Sequence, residues 1–148
     1  MKKLIYFLLL ALLVTSCSTY SDEELQAFDK KIATYVKKHN LKMTKSDSGM
    51  YYQIHEKGSG DSIKANAMIS TIYTGRLLNG KVFDQTKEPV ELQLNQLIMA
   101  WRELAFYIRE GGKATIIVPP QVGYGSRSMP DIPKNSILIF DIEVLATY

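Results

Sequence analysis

The chain has 148 residues, with 18 Lys and Arg against 15 Asp and Glu, a formal charge of +3, and a single cysteine. So even a charge balance, with no basic block, gives no support to nucleic-acid binding, and the lone Cys17 excludes an intramolecular disulfide. The length suits one domain with a single core plus a leader, and is too short for two.

From the start of the chain, Met1-Lys2-Lys3 is a positive n-region, followed by an uncharged run over 4–14 that is too short for a permanent membrane span. Residues 1–16 therefore read as an export signal. Val14-Thr15-Ser16-Cys17 resembles the bacterial lipobox, which implies a lipidated Cys17 at the mature N-terminus and a membrane tether through it. Losing Lys2 and Lys3 with the signal leaves the mature chain nearly neutral.

Residues 17–46 read as lipidated Cys, tether and leader helix. Ser21-Asp22-Glu23-Glu24 matches a capping box, and its three carboxylates lie at the positive end of the helix dipole. Leu25, Phe28, Ile32, Tyr35 and Val36 then share one face, with Lys37, Lys38 and His39 in the last turn. A helix of about five turns follows. Its stripe either packs on its own domain, the commoner case, or meets a partner.

From Asp47 to the end the period becomes that of a folded domain, expected over 47–148. Asp47-Ser48-Gly49 signals a turn, 50–57 a strand, and Gly58-Ser59-Gly60-Asp61 a second break. A strand over 67–74 is followed by Asn79-Gly80 between apolar pairs, a strong hairpin signal. After a strand over 90–94, Leu97, Ile98, Trp101, Leu104, Ala105 and Ile108 form a helical stripe that Asn95 can cap and Gly111-Gly112 can end. A strand over 113–118 stops at Pro119 and Pro120, a loop carries Gly123, Gly125, Pro130 and Pro133, and 137–145 closes the chain as a strand. Five or six antiparallel strands with one short crossing helix and one leading helix make the fold class α+β. Trp101, the only tryptophan, is on this reading either core or the floor of an apolar pocket.

Five blocks in order bear on that choice. Tyr73-Thr74-Gly75, Asn79-Gly80-Lys81-Val82-Phe83-Asp84, residues 94–101, Val122-Gly123-Tyr124-Gly125, and Ile132-Pro133 with 138–145 together resemble the FKBP-type peptidyl-prolyl cis-trans isomerases. The leader and lipobox resemble the exported lipoprotein branch, which includes gliding-motility lipoproteins. The resemblance implies a twisted antiparallel half-barrel wrapped around one short helix, with a proline site between them. It implies pocket walls at Tyr73, Phe83, Leu97, Ile98, Trp101, Tyr124, Ile132 and Phe140, with Asp84 at the rim. The backbone amide at Ile98 and the hydroxyl of Tyr124 would donate to carbonyls of the bound peptide.

Some positions depart from the family's pattern. Val90 stands where many members carry an aromatic ring, lowering one wall, and Leu97-Ile98-Met99-Ala100 replaces a Val-Ile-Pro-Gly run. The reaction needs no nucleophile, metal or cofactor. His39 and His55 fall outside the pocket blocks, and Gly123-x-Gly125 lacks the third glycine of a phosphate loop. The expected protein is a monomeric isomerase acting on proline-containing polypeptides at the cell envelope, at the outer membrane. The alternative is a module that holds prolyl segments without turnover, with the leader stripe as its partner surface.

Overall fold

The computed structural model describes residues 20–148; the export signal and Cys17 lie outside the described residues. Helix α1, Asp22–Lys38, begins at the capping box, with Ser21 Oγ accepting from the Glu24 amide and the Glu24 carboxylate accepting from the Ser21 amide. A two-residue strand β1, Thr44–Lys45, turns at Gly49 (φ 88°) into β2, Tyr51–Glu56. The strands that follow are β3 (Met68–Leu77), β4 (Val82–Gln85), β5 (Val90–Gln93), β6 (Lys113–Val118) and β7 (Leu138–Thr147).

All pairings are antiparallel, in the order β1-β2-β6-β7-β3-β4, with β5 also paired to β3. The long central pair is β3 with β7, register Tyr73 opposite Ile142 and Gly75 opposite Phe140. Alternation along these strands sorts the core into two layers. Ile116, Val118, Leu138, Phe140 and Ile142 face the short helix α2, Met99–Leu104, and bury Ala100, Trp101 and Leu104 against it. Ile117 and Ile139 face the other way, where Ile32 of α1 is fully buried among them.

The leader thus docks on its own domain. Asp29 ties it down further, accepting from Tyr51 Oη at 2.9 Å and pairing with Lys45 at 2.7 Å. Lys45 holds that carboxyl below the usual range, while burial and Asp29 push the Tyr51 hydroxyl up to about 12. Because β1 belongs to the leader by sequence and pairs with β2, the boundary expected at 46/47 falls inside a hairpin.

Two expectations for the crossing helix are corrected. Residues Leu94–Gln96 form a 3-10 turn, Leu97 and Ile98 are extended, and the helix is capped at Ile98 without any side chain, so Asn95 is not its cap. It also ends at Leu104 rather than at Gly111-Gly112; the amides of Tyr107 and Ile108 fold back onto the Leu104 carbonyl. Ile108 remains buried, so the apolar spacing is satisfied by turns without continuous helix. The sheet has seven strands rather than five or six; β1 is exposed and only two residues long, and leaves no periodic signature.

Candidate active site

Helix α2 points Trp101 at the concave face of the sheet, where it meets two rings edge-on. The Tyr73 centroid lies 5.2 Å away with planes at 89°, and that of Phe140 lies 5.6 Å away at 82°. Phe83 extends the cluster, 5.6 Å from Phe140 at 86°. These are the edge-to-face arrangements that ring quadrupoles favour. Trp101 and Phe140 are 5% and 3% exposed at the base of this cluster; Tyr73 and Phe83 are half-buried at its edge.

Gly75 makes this meeting possible. It stands on β3 opposite both Phe140 of β7 and Asp84 of β4, and a Cβ there would come within 2.8 Å of the Phe83 and Phe140 rings. A glycine inside an alternating strand is the sequence signal for such an approach, and it was missed as a site residue. Thr86 had no signal at all: its Oγ1 accepts from the Tyr73 amide at 3.1 Å, and its own amide donates to the Tyr73 carbonyl at 2.9 Å.

The polar edge is equally defined. Tyr73 Oη donates to Asp84 Oδ2 at 2.6 Å. Burial first, then that bond and the Asp84 charge, push the Tyr73 hydroxyl far above its ordinary value. Burial, with Asp84 second, also raises the half-buried Tyr124. Neither Tyr124 Oη nor the Ile98 amide has a hydrogen-bond partner among the described residues, so both remain donors for something else.

Of the residues singled out from sequence, Trp101, Ile132 and Phe140 are buried in one core, and Tyr73, Phe83, Leu97, Ile98 and Tyr124 pack against it. Asp84 is exposed at the rim. Val90 sits apart, half-buried on β5 opposite Thr71 and outside this cluster; Leu92, two residues along the same strand, is the one that packs on it. His55 is exposed and bonds Thr115 at 2.8 Å, and His39 lies beside the Tyr35 ring. Among the described residues no group of His, Cys, Asp and Glu is placed to hold a metal ion, and no helix is long and apolar enough to cross a membrane.

Comparison with known proteins converges on one family. Residues 60–145 match the family model described as FKBP-type peptidyl-prolyl cis-trans isomerase, and residues 1–18 match the prokaryotic membrane lipoprotein lipid attachment site. A probable FKBP-type peptidyl-prolyl cis-trans isomerase of Haemophilus influenzae is 44% identical over 121 residues, covering 79% of this chain and 49% of that protein. FkpA of Buchnera aphidicola (Schizaphis graminum) is 46% identical over 107 residues, covering 70% and 42%. The chain thus spans about half the length of the curated relatives it matches. The crystal structure of FkpA from Escherichia coli superposes with a TM-score of 0.73 at 32% identity, covering 84% of this chain and 61% of that one. A peptidyl-prolyl cis-trans isomerase from Pseudomonas syringae gives 0.70 at 27% identity, covering 86% and 98%.

Proposed function

This chain belongs to the FKBP-type peptidyl-prolyl cis-trans isomerase family, and on that footing we propose that it catalyses X-Pro isomerisation in exported polypeptides, held at the cell envelope by lipid on Cys17. The observation that carries the reading is the edge-to-face cluster of Tyr73, Phe83, Trp101 and Phe140, with the Tyr124 hydroxyl unspent beside it.

Rotation about a prolyl amide faces a barrier of about 18–20 kcal/mol because it breaks resonance. Resonance also puts negative charge on the carbonyl oxygen, and water stabilises that planar, charge-separated form. A proline seated on Trp101 and Phe140, between Tyr73 and Phe83, has its amide drawn out of water. The twisted amide is less charge-separated and loses less by the transfer, so the transition state is favoured over the ground state. Two donors hold the flanking chain while it turns: the Ile98 amide to one peptide carbonyl and the Tyr124 hydroxyl to another. Asp84 fixes Tyr73 against the opening. Leu97 and Ile132 close the sides, and Val90 contributes at most a distant edge. The catalyst acts as a monomer, and the outer membrane is its site.

A proline-limited peptide assay on the purified protein tests this. Wild type should accelerate the slow phase, and Tyr124→Phe with Asp84→Leu should lose most of that acceleration; a wild-type rate equal to buffer overturns the reading. The non-catalytic alternative needed the leader stripe as a partner surface, and Phe28 and Ile32 are instead buried in the chain's own core.

A further inference from the structure

Tyr20 precedes α1, yet it is only 5% exposed. Its ring meets Phe28 edge-on at 5.2 Å, and its hydroxyl donates to Asn135 Oδ1 at 2.8 Å, across 115 positions of sequence. Asn135 holds a left-handed backbone (φ 58°), and its amide donates to the Gly125 carbonyl at 2.9 Å. Gly125, itself left-handed at φ 65°, follows Tyr124 directly. The Tyr20 hydroxyl is also the side-chain atom nearest to where a Gly125 Cβ would stand, at 3.7 Å. Tyr20 and Leu25 from the leader and Tyr124 from the loop are walls of one groove of about 470 Å³.

The loop that presents Tyr124 is anchored by the buried Pro119, Pro120, Val122 and Ile132, but residues 123–128 carry few bonds of their own. Between β6 and β7 it contains a 3-10 turn at Pro120–Val122, the isolated Met129–Ile132 bridge and a few single bonds, among them the Gly125 amide to the Pro120 carbonyl and Lys81 to Asp131. A two-bond chain from Tyr20 through Asn135 to Gly125 therefore bears directly on where the Tyr124 hydroxyl points.

We propose that Tyr20 is a positioning residue for the proline site: through Asn135 it sets the backbone at Gly125 and so aims the Tyr124 hydroxyl at the bound peptide. The proposal rests on reading the cleft as an isomerase site. It makes the leader part of the working site as well as a spacer between lipid and domain.

The test uses the purified full chain in detergent micelles. Tyr20→Phe removes one oxygen and leaves the contact with Phe28. By letting the Tyr124 hydroxyl stray from the peptide carbonyl it should lower kcat/KM about fivefold, the worth of one hydrogen bond in the transition state, with the melting temperature lowered by only a few degrees. In a Tyr124→Phe background the same change should cost nothing further, because the aimed group is gone. Asn135→Ala should behave as Tyr20→Phe does, and the pair should be no worse than either. Amide exchange over residues 123–127 should quicken in Tyr20→Phe, a readout independent of turnover. Wild-type kcat/KM with wild-type exchange in Tyr20→Phe overturns the proposal, as does an equal loss in both Tyr124 backgrounds. If the wild-type protein fails to isomerise at all, the reading of the cleft falls, and the exchange comparison alone decides whether Tyr20 holds the loop.

Discussion

A methyl group at Gly75 would stand 2.7 Å from Phe83 Cζ and 2.8 Å from Phe140 Cε1, two rings that are themselves locked against their neighbours. Gly75→Ala must therefore push the cluster apart, at a cost of about 1–3 kcal/mol as an overpacked core. Thermal denaturation should report the loss, and the peptide assay should show a fall in turnover larger than the fraction unfolded explains. The two tyrosines at the rim make a second prediction, in pH. Burial and Asp84 raise both Tyr73 and Tyr124, so each keeps its proton beyond the ordinary tyrosine value of about 10. The rate should show no decline attributable to these hydroxyls from neutrality up to that value, and Asp84→Asn should bring their tyrosinate absorbance in at lower pH. Most of the side chains in this cluster were legible from sequence, because they stand at the family's aromatic positions. Gly75 and Thr86 were not singled out, since one acts by lacking a side chain and the other through backbone bonds.

Helix α1 shows how far patterning reaches. Its capping box, acidic first turn and apolar stripe are all readable in order, and the observed helix obeys them. Ser21→Ala should cost about 1 kcal/mol by removing the cap, and Ile32→Ala about 2–5 kcal/mol, since Ile32 is fully buried; denaturant midpoints measure both. The polar latch adds a pH window. Tyr51 is raised by burial and by Asp29, so its contribution is whole below the ordinary tyrosine value of about 10 and is lost as pH rises through about 12. Tyr51→Phe should flatten the stability curve across that interval. What patterning could not supply was the partner of the stripe. Nothing in Ile32 says that Ile117 and Ile139 wait for it; that follows from which face of β6 and β7 the alternation leaves uncovered. The crossing helix fails in the opposite sense. Its apolar spacing is real, but a 3-10 turn, an extended pair and a closing turn satisfy it with only six residues of helix between them.

The sheet itself is assembled from distant parts. β3 lies in the middle of the chain and β7 at its end, yet they form the long central pair, so the aromatic cluster is assembled only once Phe140 arrives on the chain's last strand. The family resemblance made this architecture legible; composition and period alone reached no further than α+β. Deleting the leader up to residue 43 should leave that sheet formed but expose Ile117, Ile137, Ile139 and Tyr51, with increased dye binding and a tendency to associate as the measured outcome.

The burial of Tyr20 has one more consequence. The lipid-attachment match ends at residue 18, and only Ser18 and Thr19 separate Cys17 from a tyrosine pinned into the folded body. An extended chain spans at most about 3.6 Å per residue, so a lipidated Cys17 gives the catalyst a leash scarcely longer than a phospholipid headgroup. On the proposed isomerase reading, a domain moored so closely would turn only those chains that pass near the bilayer surface. Splicing a Gly/Ser stretch between Cys17 and Ser18 should leave turnover of a short peptide unchanged on vesicles and raise it for a bulky unfolded client.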